Sequence, residues 1–137
     1  MEATGRVLAL DPGAVRVGVS VTDSSRTMAF PRAALKADAL LFDQIRLLVD
    51  EEMATHVVIG LPKSLDGKDG PAAQSARELA AALGEVLDVE IELFDERLTT
   101  VQAAASLRAA GRDSREARDV IDSASATVLL DAWLNTR

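Results

Sequence analysis

The sequence predicts a single α/β domain: a five-stranded mixed sheet, built as an antiparallel meander followed by two parallel strands, flanked by helices. Three observations predict it. The chain opens with short apolar, β-branched runs separated only by turn-length gaps. Two later runs of the same kind alternate with segments whose apolar residues recur at helical spacing. No internal repeat, low-complexity tract or linker divides residues 1–137, a length that suits one domain burying roughly two thirds of its unfolded surface.

Arg6 to Asp11 reads as a buried strand, and Val15 to Val21 as a second with Val15, Val17, Val19 and Val21 alternating on one face. Asp23-Ser24-Ser25-Arg26 is a turn, and Thr27 to Ala33 a third strand. Connections this short make the three antiparallel. Ala39 to Met53 has a helical stripe of Leu40, Leu41, Ile45, Leu48 and Val49, with Asp38 as its N-cap. His56 to Leu61 is a compact β-branched run, hence a buried strand. An exposed loop follows, punctuated by Asp66-Gly67 and Asp69-Gly70. Pro71 then opens a helix to about Leu87, at the leading position where proline is tolerated. Val89 to Phe94 is the fifth strand, and two helices close the chain, about Thr99 to Ala110 and Arg115 to Leu134.

Composition excludes several function classes. There is no cysteine, so disulfides and thiolate metal sites are ruled out. One Trp, three Phe and no Tyr are too few rings for a base-stacking platform. No run of eighteen apolar residues appears, and the N-terminus has no charged leader or cleavage site, so a cytoplasmic protein with no membrane association is expected. The single histidine, His56, leaves zinc and Ser-His-Asp chemistries without their parts. Net charge is −7, opposite to the usual nucleic-acid footprint. Bound divalent cations would cancel part of that charge locally. Arg108, Arg112, Arg115 and Arg118 also cluster in the sequence, either as a basic patch or as a solvated helix end and linker.

Three carboxylates stand out. Asp11 ends the run Val7-Leu8-Ala9-Leu10 and precedes Pro12-Gly13; Glu96 follows Ile91-Glu92-Leu93-Phe94; Asp122 lies in a helical pattern beside Ala126 and Leu129. Acids at strand ends and beside apolar stripes need a partner. Converging, the three would form an oxygen site for a hard divalent cation, which suits phosphodiester hydrolysis. Each has a plainer reading: a turn acid for Asp11, a helix-start acid for Asp122. Asp95 and Glu96 are adjacent, so only one points in a given direction along a strand, and Asp95 can cap or orient a neighbour. Gly13 suits either a close backbone approach or a positive φ.

Asp11-Pro12-Gly13 with Arg16-Val17-Gly18-Val19-Ser20, Gly60-Leu61-Pro62 through Asp66-Gly67, Asp95-Glu96-Arg97-Leu98-Thr99-Thr100, and Ile121-Asp122-Ser123-Ala124-Ser125-Ala126 occur in an order and spacing that resembles the YqgF/RuvX family. That family comprises Holliday junction resolvases and pre-16S ribosomal RNA nucleases of ribonuclease H-like fold, and the resemblance covers essentially the whole chain. It implies a nuclease with Asp11, Glu96 and Asp122 as catalytic metal ligands for one or two Mg²⁺ or Mn²⁺ ions. Arg97, Arg118, Lys63 and Arg16 are the candidate substrate contacts, cations able to meet phosphate. Arg97 can instead pair with Asp95. Around Asp119 the chain departs from the family, which commonly has a Lys there, and Arg118 is the substitute for that basic role. The implied partner is nucleic acid, precursor rRNA or branched DNA; a monomer serves the first and a homodimer the second. A nucleotide-handling module of the actin-like ATPase type would need a second lobe that 137 residues do not supply. A silent binding domain has no need of the three acids.

Overall fold

The computed structural model describes residues 4–63, 66–98 and 123–136. Each apolar run becomes a strand. In β1 (Arg6–Pro12), Val7, Leu8, Ala9 and Leu10 are all fully buried, as a strand covered on both faces requires. β1 pairs antiparallel with β2 (Arg16–Thr22), and β2 with β3 (Ala29–Lys36). On its other side β1 pairs parallel with β4 (Ala54–Leu61), and β4 with β5 (Glu90–Asp95). The sheet order is β3-β2-β1-β4-β5. β4 therefore lies between β1 and β5.

Two helices cover one face. α1 (Leu41–Glu52) and α2 (Pro71–Val86) pack Ile45, Leu48 and Leu83 against Leu8, Leu10, Val19, Val57 and Ile59. The other face carries α3 (Ala124–Asn135), whose Leu129, Leu130 and Trp133 cover Val7, Ala9, Val58 and Phe94. Ser20 and Ser123 bring α3 close to β2. Ser20 Oγ donates to the Ala126 carbonyl at 2.8 Å, and Ser123 Oγ accepts from Val19 N–H at 3.0 Å while donating to the Arg32 carbonyl at 2.6 Å. These bonds satisfy groups that would otherwise be buried without partners.

The predicted meander and the two parallel strands are present, with shifted edges. The third strand starts at Ala29, not Thr27, because Asp23 Oδ1 accepts the N–H groups of Thr27 and Met28 and holds both in the turn. Val15 lies outside β2 and is 76% exposed. Gly13 N–H bonds the Arg16 carbonyl at 3.0 Å, and a Cβ on Gly13 would come within 2.6 Å of that oxygen. Close approach, not positive φ, is thus what Gly13 provides, and the turn it closes takes up Val15. Asp38 is not the N-cap of α1; Leu40 is. Asp38 Oδ1 accepts Leu40 N–H at 3.0 Å, which closes a turn just ahead of the helix. The predicted helix Thr99 to Ala110 and the first part of the one beginning at Arg115 lie outside the described residues.

Candidate active site

Asp11 is near the carboxyl end of β1, opposite Gly18 of β2 and one step beyond the Leu10–Ile59 pair with β4. Open α/β sheets collect ligands at this end of their parallel strands. Alternation along β1 puts Asp11 on the same face as Val7 and Ala9, the face covered by α3. Glu96 opens a single 3-10 turn, Glu96–Leu98, directly after β5. Its carboxyl crosses above Gly60 of β4, within 2.5 Å of where a Cβ there would sit, and is hydrogen-bonded to Asp11. The neutral Glu96 carboxyl donates and Asp11 accepts.

That meeting perturbs Glu96. Its pKa is pushed up to about 8, first by burial, then by the hydrogen bond and negative charge of Asp11, with Asp95 adding to the repulsion. Asp95, the other member of the adjacent pair, turns the opposite way chemically. Arg97 donates to it through its backbone N–H at 2.9 Å and through its guanidinium at 2.6 and 2.9 Å, which holds the Asp95 carboxyl below the usual range. Arg97 is thus in the ion pair with Asp95 that its position allowed, and its own exposed guanidinium stays beside the site.

Lys63 forms a β-bridge with Asp69 across the loop after β4, and its charge acts on both Asp69 and Asp95. Arg16 begins β2, at the end of the hairpin that follows Asp11. The structure therefore brings Asp11, Glu96 and Arg97 to one end of the sheet, with Lys63 electrostatically coupled to Asp95. Asp122, Arg118 and the clustered arginines lie outside the described residues. Among the described residues no group of three or more His, Asp or Glu assembles a metal site. Asp11 and Glu96 supply two carboxylates, hard oxygen donors suited to a divalent cation.

His56 is elsewhere. It lies near the start of β4, about 13 Å along the strand from Gly60, too far to move a proton at Asp11 or Glu96. Its ring nitrogens face Glu90 Oε2 and Glu92 Oε1 at 3.1 Å each, and Trp133 Nε1 donates to Glu92 Oε2 at 3.1 Å. Gly60 is the residue at the site whose role the sequence reading missed. Its signal was a glycine inside a β-branched run, a mark of close approach in a strand.

A family model described as RuvX, Holliday junction resolvase, matches residues 5–136. The chain belongs to the RuvX family. Relatives named "Putative pre-16S rRNA nuclease" agree over nearly its full length. The one from Thermobifida fusca is 43% identical over 141 residues, covering 97% of this chain and 89% of its own. The one from Anaeromyxobacter sp. (strain K) is 37% identical, covering 96% and 98%. Among solved structures, Thermus thermophilus RuvC in complex with a Holliday junction substrate superposes with a TM-score of 0.61 at 12% identity, covering 96% of each chain. At that identity the likeness bears on fold alone, and the fold of this RuvX-family chain is ribonuclease H-like. Among the described residues no helix is long and apolar enough to cross a membrane.

Proposed function

We propose that this chain is a divalent-metal-dependent nuclease that hydrolyses phosphodiester bonds in the precursor of 16S rRNA. The observation that carries the reading is the Asp11–Glu96 pair, one carboxyl from β1 and one from the turn after β5, hydrogen-bonded to each other at the ligand-binding end of the sheet. Asp11 and Glu96 bring carboxyl oxygens together at that end, and a divalent cation held there would offset the negative charge of an approaching phosphodiester. Two hard carboxylates fit Mg²⁺ or Mn²⁺, and Asp122 is the proposed third ligand. It immediately precedes Ser123, whose hydroxyl bonds Val19 N–H, next along β2 from Gly18, the partner of Asp11. When bound, the metal supplies charge neutralisation at phosphorus and a water of lowered pKa.

The chain's own residues do the rest. Asp11 and Glu96 would hold the cation in their ionised forms, which requires Glu96 to be without its proton. Arg97, aligned by Asp95, offers a pre-ordered guanidinium to the phosphate. Lys63, Arg16 and Arg118 add positive charge along the nucleic-acid path. The 16S precursor is favoured because the curated relatives at 37–43% identity carry that name, and one strand can be cut by a monomer in the cytoplasm. The family description supports a second reading, a Holliday junction resolvase, which would require a homodimer.

A cleavage panel separates them: a 16S precursor fragment and a four-way DNA junction, each with and without Mn²⁺, using wild type and Asp11→Asn. Metal-dependent cutting of the RNA by wild type alone is expected. Cutting that survives verified metal removal, or that persists in Asp11→Asn, overturns the metal mechanism. Paired, symmetric incisions in the junction with no RNA processing overturn the substrate.

A further inference from the structure

Gly60 is a costly residue for its place. It is buried in β4, a central strand whose neighbours Val57, Val58 and Ile59 all pack side chains into the core. A glycine there contributes no packing and adds backbone entropy to the unfolded chain. Left-handed backbone is not the reason, since the positive-φ glycines are Gly5 and Gly67. The sheet order supplies one. Because β4 separates β1 from β5, a side chain leaving the end of β5 must cross β4 to reach β1, a span of about 9.6 Å. Gly60 pairs with Phe94 and shares the face of Val58, so it occupies the crossing point between Glu96 and Asp11. A Cβ at position 60 would stand 2.5 Å from Glu96 Oε1 and 3.2 Å from both Cδ and Cγ.

We propose that Gly60 is a positioning residue for the metal-ligand pair: the side chain it lacks is the passage through which Glu96 reaches Asp11. The geometry stands by itself; its consequence for metal binding rests on the nuclease reading above. The atoms in contact belong to the far end of a flexible side chain, so alanine leaves the fold intact and displaces the Glu96 carboxyl. To reach ordinary contact distance, Oε1 has to retreat by about 1 Å, a misplacement large enough to weaken a ligand set about tenfold or more.

The test is a double-mutant cycle read by Mn²⁺ affinity, measured calorimetrically on protein free of nucleic acid. Glu96→Asp shortens the ligand by one methylene and withdraws it from position 60. Gly60→Ala in the wild-type background is expected to lose about tenfold in Mn²⁺ affinity, with a Tm within a few degrees of wild type. In the Glu96→Asp background the same change is expected to cost less than about twofold. Wild-type Mn²⁺ affinity in Gly60→Ala, or an equal loss in both backgrounds, overturns the proposal. Should Gly60→Ala fail to fold, Glu96→Ala is added: recovery of folding supports the proposal, and no recovery assigns Gly60 to backbone packing and overturns it. Cleavage is scored separately on wild type. Coupling without any nuclease activity would leave the positioning role standing and remove the nuclease reading, whereas nuclease activity without coupling would do the reverse.

Discussion

Replacing Asp11 with asparagine should change how the metal-free protein responds to pH, and the structure fixes the sign. Glu96 is pushed from 4.5 to about 8 in the folded chain. A carboxyl raised in this way contributes stability that is fully present below about pH 4.5 and is lost as the pH rises through 8. Fully expressed, that displacement corresponds to roughly 5 kcal/mol. The carboxyl is only half-buried, so solvent screening reduces the expected loss to about 2 kcal/mol. Burial is the leading cause and remains in Asp11→Asn; the charge of Asp11 is removed, which relieves about 1 kcal/mol of that loss. At pH 8 without metal, Asp11→Asn should therefore be more stable than wild type, with a Tm roughly 3–5 °C higher for a domain of this size. At pH 5 Glu96 is neutral in both proteins, and the variant should be equal or slightly weaker because a charge-assisted hydrogen bond is gone. The assay is thermal unfolding in chelator from pH 5 to 9. Depressed carboxylates do not confuse the window, since Asp23, lowered to about 2, loses its contribution only as the pH falls far below 5. Other titrating groups are common to both proteins and cancel in the difference. Parallel pH profiles for the two proteins, or a variant that unfolds at pH 8, would refute the account of Glu96 as a carboxyl held up in part by the charge of Asp11.

Cleavage should vanish in excess chelator and return with Mg²⁺ or Mn²⁺, as followed by gel assay after verified metal removal. Under the same conditions, 10 mM Mg²⁺ acting on a site of about 1 mM affinity should stabilise wild type by roughly 1.4 kcal/mol and Asp11→Asn by little; equal Tm shifts would count against Asp11 as a ligand. Arg97→Ala should slow cleavage by about tenfold or more while changing urea stability by less than about 1 kcal/mol, because its pair with Asp95 is at the surface. Unchanged turnover would leave Arg97 as the partner of Asp95 only. Ser123→Ala should cost about 1–3 kcal/mol in urea unfolding, since it strips the buried Val19 N–H and the Arg32 carbonyl of their partner. A loss under about 0.5 kcal/mol would mean that the Ser123 bonds add little to the hold of α3 on β2.

The five strands, and the helices that fall on described residues, were legible because each depends on local periodicity. Val7 to Leu10 had to be a doubly covered strand, and Val17, Val19 and Val21 had to share a face. Edges were less legible where a side chain captured backbone groups. Asp23 holds Thr27 and Met28 out of β3, and Asp38 closes a turn where a cap was expected. Both acts need one short polar side chain and leave no periodic trace. Asp11 and Glu96 were also legible as acids at strand ends, and the resemblance singled out Glu96 over Asp95. In the fold the two part ways: Arg97 pairs with Asp95, and the Glu96 carboxyl reaches Asp11.

What the sequence by itself determined is the set of elements over the described residues and the residue types at their ends, because helix and strand periods are properties of neighbours along the chain. Only the tertiary structure decided which ends meet. Parallel pairing of β4 with both β1 and β5 inserts a strand between the two acids, and nothing in the spacing of Asp11 and Glu96 encodes that insertion. The same order turns Gly60 from a weak strand residue into the open space that Glu96 crosses. It also sets His56 apart from the acids, among Glu90, Glu92 and Trp133 at the far end of the strands. Proximity between residues distant in the chain depends on strand order, and strand order is settled by how two helical layers cover both faces of one sheet.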